Sequence, residues 1–271
     1  MTKAASLRIC ISLLVGVVML ASLSGARAEV DKKSILSQAR QSYYNLRSEG
    51  LAAFQCNITP NWALLLQDQR KENPKGADAA IKILQQLHFT VSLAADDSVK
   101  LRHNDLLGQS QQMSDALKQI YGGMEQMTSG FFDTWKLFLV NRPFPQDGSK
   151  YKLEAIGPQY RLSYRENAAD VVTTMSKDFA ISNLKVTTAE FDSSIQPRFT
   201  STPKGFVLNS YDASYKSQKP EETTQLKVMT AYRQVDGVQM LQKLNLSGTY
   251  GGSPFAVELV FSHCQVTKSK S

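Results

Sequence analysis

Residues 226–261 read LKVMTAYRQVDGVQMLQKLNLSGTYGGSPFAVELVF, and the fold class turns on this stretch. Leu226, Val228, Thr230 and Tyr232 fall on alternate positions up to a turn at Asp236-Gly237. Met240, Leu244 and Leu246 lead to a second turn at Gly251-Gly252. Phe255, Val257, Leu259 and Phe261 alternate after it. A period of two belongs to a strand with one apolar face. Strands joined by Gly-containing turns make an antiparallel meander. The pattern reaches upstream to about Lys150. Tyr160, Leu162 and Tyr164 alternate, and Phe179-Ile181, Leu184-Val186 and Phe206-Leu208 add extended runs.

Upstream of Lys150 the periodicity changes. Met113, Leu117, Ile120, Met124, Met127, Phe131, Trp135 and Phe138 are spaced by three and four, which places them on one stripe of a helix. Gly122-Gly123 or Ser129-Gly130 is expected to break or bend it. Phe89-Val91-Leu93 and Val99-Leu101 read as a hairpin around Asp96-Asp97-Ser98. Trp62 to Lys71 and Asp78 to Leu87 read as helices separated by a turn at Asn73-Pro74-Lys75-Gly76, with Asp78 capping the second. Ahead of Pro60, Ala52, Phe54, Cys56 and Ile58 lie on one face of a strand. Before that, Ile35, Leu36, Ala39, Tyr43 and Leu46 recur at helical spacing from an N-cap at Asp31 to Glu49-Gly50. The expected class is α+β. One apolar sheet face must be covered by helices or line a cavity.

The 271 residues carry 31 Lys and Arg against 24 Asp and Glu. Part of that excess sits at the N-terminus. Lys3 and Arg8 precede an apolar run from Ile9 to Leu23, and Ala26-Arg27-Ala28 offers small residues for cleavage. Residues 1–28 therefore read as a secretory signal, the alternative being an uncleaved anchor. The apolar run is shorter than the roughly 20 residues of a membrane span. Cleavage after Ala28 removes three basic residues and lowers the formal net charge from +7 to +4. So modest a charge, spread along the chain, predicts no nucleic-acid partner. No second apolar run is long enough to span a membrane. The expected location is periplasmic or secreted.

Cys10 leaves with the signal, so two of the three cysteines remain, Cys56 and Cys264. In an oxidising compartment such a pair usually bridges, which would make the first and last strands neighbours. Two buried free thiols are the alternative.

Signatures of catalysis are missing. His88, His103 and His263 form no metal-binding pair, and there is no nucleophile elbow or phosphate loop. The acid pairs Asp96-Asp97 and Glu221-Glu222 sit in turn-like polar contexts. No enzyme activity, metal or cofactor is expected.

Two segments resemble a known family. Ala39-Arg40-Gln41-Ser42-Tyr43-Tyr44-Asn45-Leu46-Arg47-Ser48, followed by the strand from Gly50 to Ile58, resembles the opening of LolA-like periplasmic lipoprotein carriers. Tyr232-Arg233-Gln234-Val235-Asp236-Gly237, Lys243 to Leu246 and Phe255 to Val266 are similar to that family's C-terminal strands. The likeness covers roughly the first thirty residues after the signal and about the last hundred of a single domain, 29–271. It implies an incomplete antiparallel barrel, covered by helices, around an apolar cavity. LolA-like proteins carry lipoprotein acyl chains, and LolB-like and RseB-like relatives receive or sense lipidated or outer-membrane ligands. The largely helical stretch of about 60–145 departs from the family and reads as an insertion. Arg161 is the candidate for the family's latching arginine.

The expected function is burial of lipoprotein acyl chains or another apolar ligand in the concave sheet face. By strand position the lining is Phe54, Ile58, Tyr160 and Leu162, with Phe206, Leu226, Val228 and Phe261. The stripe from Met113 to Trp135, with Arg161, is the candidate lid. The alternative is an envelope interaction or sensing module that docks other cell-envelope proteins through the Met-rich stripe, without ligand transfer.

Overall fold

The structure, a computed structural model, describes residues 32–106, 108, 110–217, 223–250 and 252–269. The segment expected to be a signal, Asp31, Glu221-Glu222 and Gly251 lie outside the described residues. The chain divides into two compact units, residues 1–41 and Ser42–Ser271. In the first, helix α1 covers residues 32–41. Its periodicity continues to Leu46, but the helix ends sooner. Tyr43 instead forms a parallel bridge with Phe206, and Leu46 N–H donates to Leu139 O at 2.8 Å. Backbone pairing to distant strands outcompetes a local helical preference of a few tenths of a kcal/mol per residue.

The second unit is built on one antiparallel sheet of twelve strands, unclosed and curved. Strand β1 (Leu51–Pro60) is followed by α2 (Trp62–Leu65), α3 (Gln67–Glu72) and α4 (Pro74–Leu84). The hairpin β2 (Phe89–Leu93) and β3 (Val99–His103) precedes α5 (Gln111–Lys136), which runs into a π-helical turn, Leu137–Asn141. Nine strands complete the unit: β4 (Tyr151–Ile156), β5 (Gln159–Glu166), β6 (Ala169–Ser176), β7 (Ile181–Thr187), β8 (Phe191–Thr202), β9 (Gly205–Ser217), β10 (Thr223–Val235), β11 (Val238–Tyr250) and β12 (Ser253–Lys268). From β4 to β12 each strand pairs with the next. β1 then joins β12, and the β2–β3 hairpin extends the sheet beyond β1.

The largely helical stretch of about 60–145 holds the hairpin expected around Asp96-Asp97-Ser98, as β2 and β3. The first helix starts at Trp62 as expected, but the one expected from Asp78 begins earlier. Asn73 is an N-cap whose side chain accepts from Gly76 N–H at 3.0 Å, and Pro74 opens α4. The Asn-Pro-Lys-Gly turn signal is a helix start, because proline at the first helical position forfeits no hydrogen bond. Asp78 lies inside α4 and pairs with Arg70 at 2.9 Å. Nor does α5 break at Gly122-Gly123 or Ser129-Gly130. The departure from α geometry comes later, at Leu137–Asn141.

Register explains how one face stays apolar across the sheet. Ile58 faces Phe261 and Phe89; Leu244 faces Leu259; Val228 faces Leu246 and Tyr211; Leu162 faces Leu153 and Thr173. Most of these side chains are buried. The gap between Met240 and Leu244 in the alternation marks a bulge, since Ala231 pairs with Lys243 but Tyr232 with Leu241. One extra residue there keeps Met240, Leu241 and Leu244 all buried. At Asp236-Gly237 both residues have positive φ, 50° and 77°, which closes the β10–β11 hairpin with the right-handed twist of its strands.

Cys56 and Cys264 stand at disulfide distance, 2.14 Å between sulfurs, across β1 and β12. The first and last strands do meet there. The pairing fits an extracytoplasmic, oxidising setting. Among the described residues no helix is long and apolar enough to cross a membrane.

Tyr43 anchors the return of the chain. Its hydroxyl donates to Phe179 O at 2.9 Å and accepts from Ile181 N–H at 2.8 Å. Its ring meets Phe144, Phe199 and Phe206 edge-on at 5.2–5.5 Å. Tyr43→Phe keeps the ring and strands both backbone groups. A loss of about 1–3 kcal/mol in unfolding free energy is expected by chemical denaturation. An unchanged midpoint would contradict this anchoring role.

Candidate functional site: the covered face of the sheet

The stripe on α5 lies against the sheet. Leu117, Met124, Phe131, Trp135 and Phe138 are buried, and Met113, Ile120 and Met127 are half-buried. Phe132, outside the stripe, makes the central contacts. It is fully buried, with ring centroids 6.1 Å from Phe54 and 6.3 Å from Phe261. Trp135 meets Phe54 edge-on at 6.1 Å and Phe132 at 5.4 Å. A strict three-four stripe excludes position 132, one residue or about 100° around the helix from Phe131. Its aromatic character beside Phe131 and Trp135 was the available signal. Because the stripe is turned onto the sheet, the docking alternative has little exposed apolar surface to use at Met113–Phe138.

Both ends of α5 are tied down. At the N-terminal half, Tyr121 stacks on His103 at 3.7 Å and donates to Asn104 O at 3.2 Å. At the C-terminal end, Lys136 donates to Asp97 O at 3.1 Å. Arg47 completes that clamp. It donates to Leu51 O (2.8 Å), Ala52 O (2.5 Å) and Ala94 O (3.0 Å) and pairs with the Asp97 carboxylate. Sequence reasoning assigned Arg47 no role. Two of its carbonyl partners lie four and five residues on, but backbone carbonyls carry no residue type to read, and Ala94 and Asp97 are reached only through the fold.

The interface beneath α5 is not fully satisfied. Thr128 Oγ1, Trp135 Nε1 and the Tyr232 hydroxyl are buried without a partner in hydrogen-bond geometry among the described residues. Trp135 acts electrostatically on the Tyr232 phenol, yet the two atoms miss hydrogen-bond geometry. Each such orphan costs about 1–3 kcal/mol relative to a solvated group. Thr134 Oγ1 and the Tyr215 hydroxyl lie 3.5 Å apart at the same interface.

Burial pushes the phenols of Tyr43, Tyr164, Tyr211 and Tyr232 well above their ordinary value of 10.0. Folded tyrosines thus hold their protons where unfolded ones release them. Their contribution to stability is complete below pH 10 and falls as pH rises above it. In an alkaline titration followed at the tyrosinate absorbance, the share belonging to these four phenols should appear as a late step coincident with unfolding. A smooth titration near pH 10 in the folded protein would refute this.

Of the expected lining residues, Phe54, Ile58, Leu162, Val228 and Phe261 are buried on this face. Tyr160, Phe206 and Leu226 are half-buried. Tyr160 stacks on Phe179 at 6.2 Å beneath the Lys177 ammonium. Arg161 is exposed and borders a hollow of about 300 Å³ with Thr174, Asn183 and Lys185 on the opposite face. Another hollow, of about 380 Å³, lies on that opposite face beside Gln196, Asp212, Ser214 and Lys227. Among the described residues no group of three or more His, Cys, Asp or Glu could hold a metal ion.

Compared with known proteins, the chain matches no family model, no curated protein and no solved structure.

Proposed function

We propose that this chain is a periplasmic carrier or binding protein for lipoprotein acyl chains or a similar apolar ligand, with α5 as the displaceable cover of the site. One observation carries the reading. The aromatic half of a single helix occupies the apolar face of an unclosed sheet and leaves the Thr128 hydroxyl buried and unpaired, with Trp135 Nε1 turned to the Tyr232 hydroxyl at the limit of hydrogen-bond geometry. A permanent core would normally satisfy such groups.

The energetics suit exchange. Exposing four side chains such as Phe131, Phe132, Trp135 and Phe138 costs on the order of 6–12 kcal/mol. An acyl chain of about fifteen methylenes gains on the order of 12 kcal/mol on leaving water. The two are close enough for a ligand to shift the balance between covered and open states. The polar atoms released from under α5 regain water, which favours opening further. The reading assigns no catalysis to the chain.

The test uses the secreted protein with Trp62→Phe, so that Trp135 alone reports. Palmitate or a triacylated lipopeptide should shift its emission to the red as α5 leaves the sheet, and organic extraction of freshly purified protein should release lipid. No shift together with no extracted lipid would overturn the proposal.

A further inference from the structure

Strand β3 ends the sheet, and its outer edge has no strand partner among the described residues. The direction of its backbone groups follows from its neighbours. Ala94 N–H donates to Ser98 O at 2.9 Å, and Asn104 N–H to His88 O at 3.3 Å. Hydrogen-bonded pairs recur at every second position of an antiparallel ladder. Ser92–Lys100 and Thr90–Arg102 are therefore the bonded pairs, and the backbone N–H and C=O of Val99, Leu101 and His103 point away from β2.

A groove of about 510 Å³ runs between this edge and α5, lined by Val99, Leu101, Arg102, Gly122, Glu125 and Ser129. A Cβ added at Gly122 would meet nothing within 4 Å, so the helix leaves room there. Thr128, with its buried unpaired hydroxyl, borders the same groove. An open strand edge beside a helix is the geometry that accepts an extended peptide as an added strand.

Charge selects the occupant. Lys100 and Arg102 are exposed and border the groove; Lys100 also acts electrostatically on Asp96, whose carboxyl it helps hold low. A second copy pairing antiparallel through β3 would set cation against cation, whether centred on Lys100, Leu101 or Arg102. Like charges directly opposite on a sheet are destabilising. A strand with acids opposite Lys100 and Arg102 gains instead. Its intervening residue, opposite Leu101, faces the groove, where Glu125 disfavours a further acid.

We propose that the β3 edge and the groove beside α5 bind an extended segment of another protein with an acid–neutral–acid pattern, by strand addition. The groove shares α5 with the covered face, so the peptide is tested on the ligand-free protein, where failure of acyl-chain binding leaves this proposal standing.

The test titrates the full secreted chain with a labelled peptide built on Glu-Val-Glu, followed by anisotropy and by amide shifts of Val99, Leu101 and His103. Saturable binding is expected, weakened about tenfold by Lys100→Glu with Arg102→Glu, and about tenfold by N-methylating the peptide's edge-facing amides. The N-methyl control leaves the protein untouched, so misfolding of a variant cannot mimic it. Equal binding of the methylated peptide would reduce the effect to charge alone and overturn strand addition. So would no binding at all, a dimer lost on changing β3, or displacement of the peptide by anionic vesicles.

Discussion

Replacing Cys56 and Cys264 together by alanine lowers the unfolding free energy by about 2–5 kcal/mol. The bridge spans 208 positions, and loop entropy alone predicts about 5 kcal/mol for so long a link. Topology adds a reason for a value near the upper end. Every strand from β4 to β12 pairs with its neighbour in sequence, whereas β1 and the β2–β3 hairpin reach the sheet only through β12. Holding β1 on β12 keeps the Phe54 ring beneath Phe132 and Trp135. Alanine is the better replacement, because Cys56 is buried and a serine hydroxyl there would add an unpaired polar group. Guanidinium denaturation of the oxidised protein, the reduced protein and the double variant gives three midpoints. The last two should coincide below the first. Equal midpoints for all three would mean that the bridge constrains nothing.

Phe132→Ala should cost about 3–5 kcal/mol, the range for removing a fully buried aromatic ring. The ring touches the α5 aromatics and both β1 and β12, so the change weakens the helix–sheet contact more than either partner alone. Loss of stability by itself would describe any core position. The proposed function makes a second demand: the variant, under conditions where it stays folded, should bind an apolar fluorescent probe more tightly than the parent. Weaker or unchanged binding would show the covered face to be ordinary core.

How much of this was legible follows from the range of each interaction. The alternation at Leu226–Tyr232 and Phe255–Phe261 marks strands because side-chain direction depends only on the residue and its neighbours. The same holds for the α5 stripe. The cysteine pairing was readable from chemistry and compartment. The Asn73-Pro74 signal was ambiguous, since the residues that make a turn also cap a helix. Tyr43 kept a helical spacing but answered to Phe206, Phe179 and Ile181, all more than a hundred residues away. Arg47 went unread because it binds backbone carbonyls of no particular residue type, and Phe132 because its contacts to Phe54 and Phe261 depend on strand pairing.

The candidate site divides along that line. Sequence by itself determined an antiparallel sheet with one apolar face, an amphipathic helix able to cover it, and two cysteines placed to join the first and last strands of the chain. All three rest on periodicity and residue chemistry, which are local. Only the tertiary structure decided that α5 lies on that face, that Phe132 fills its centre, and that β3 is left as an open edge beside a groove. Those outcomes depend on which strands become neighbours, through register and contacts between residues far apart in sequence, and no stretch of the chain carries that information alone.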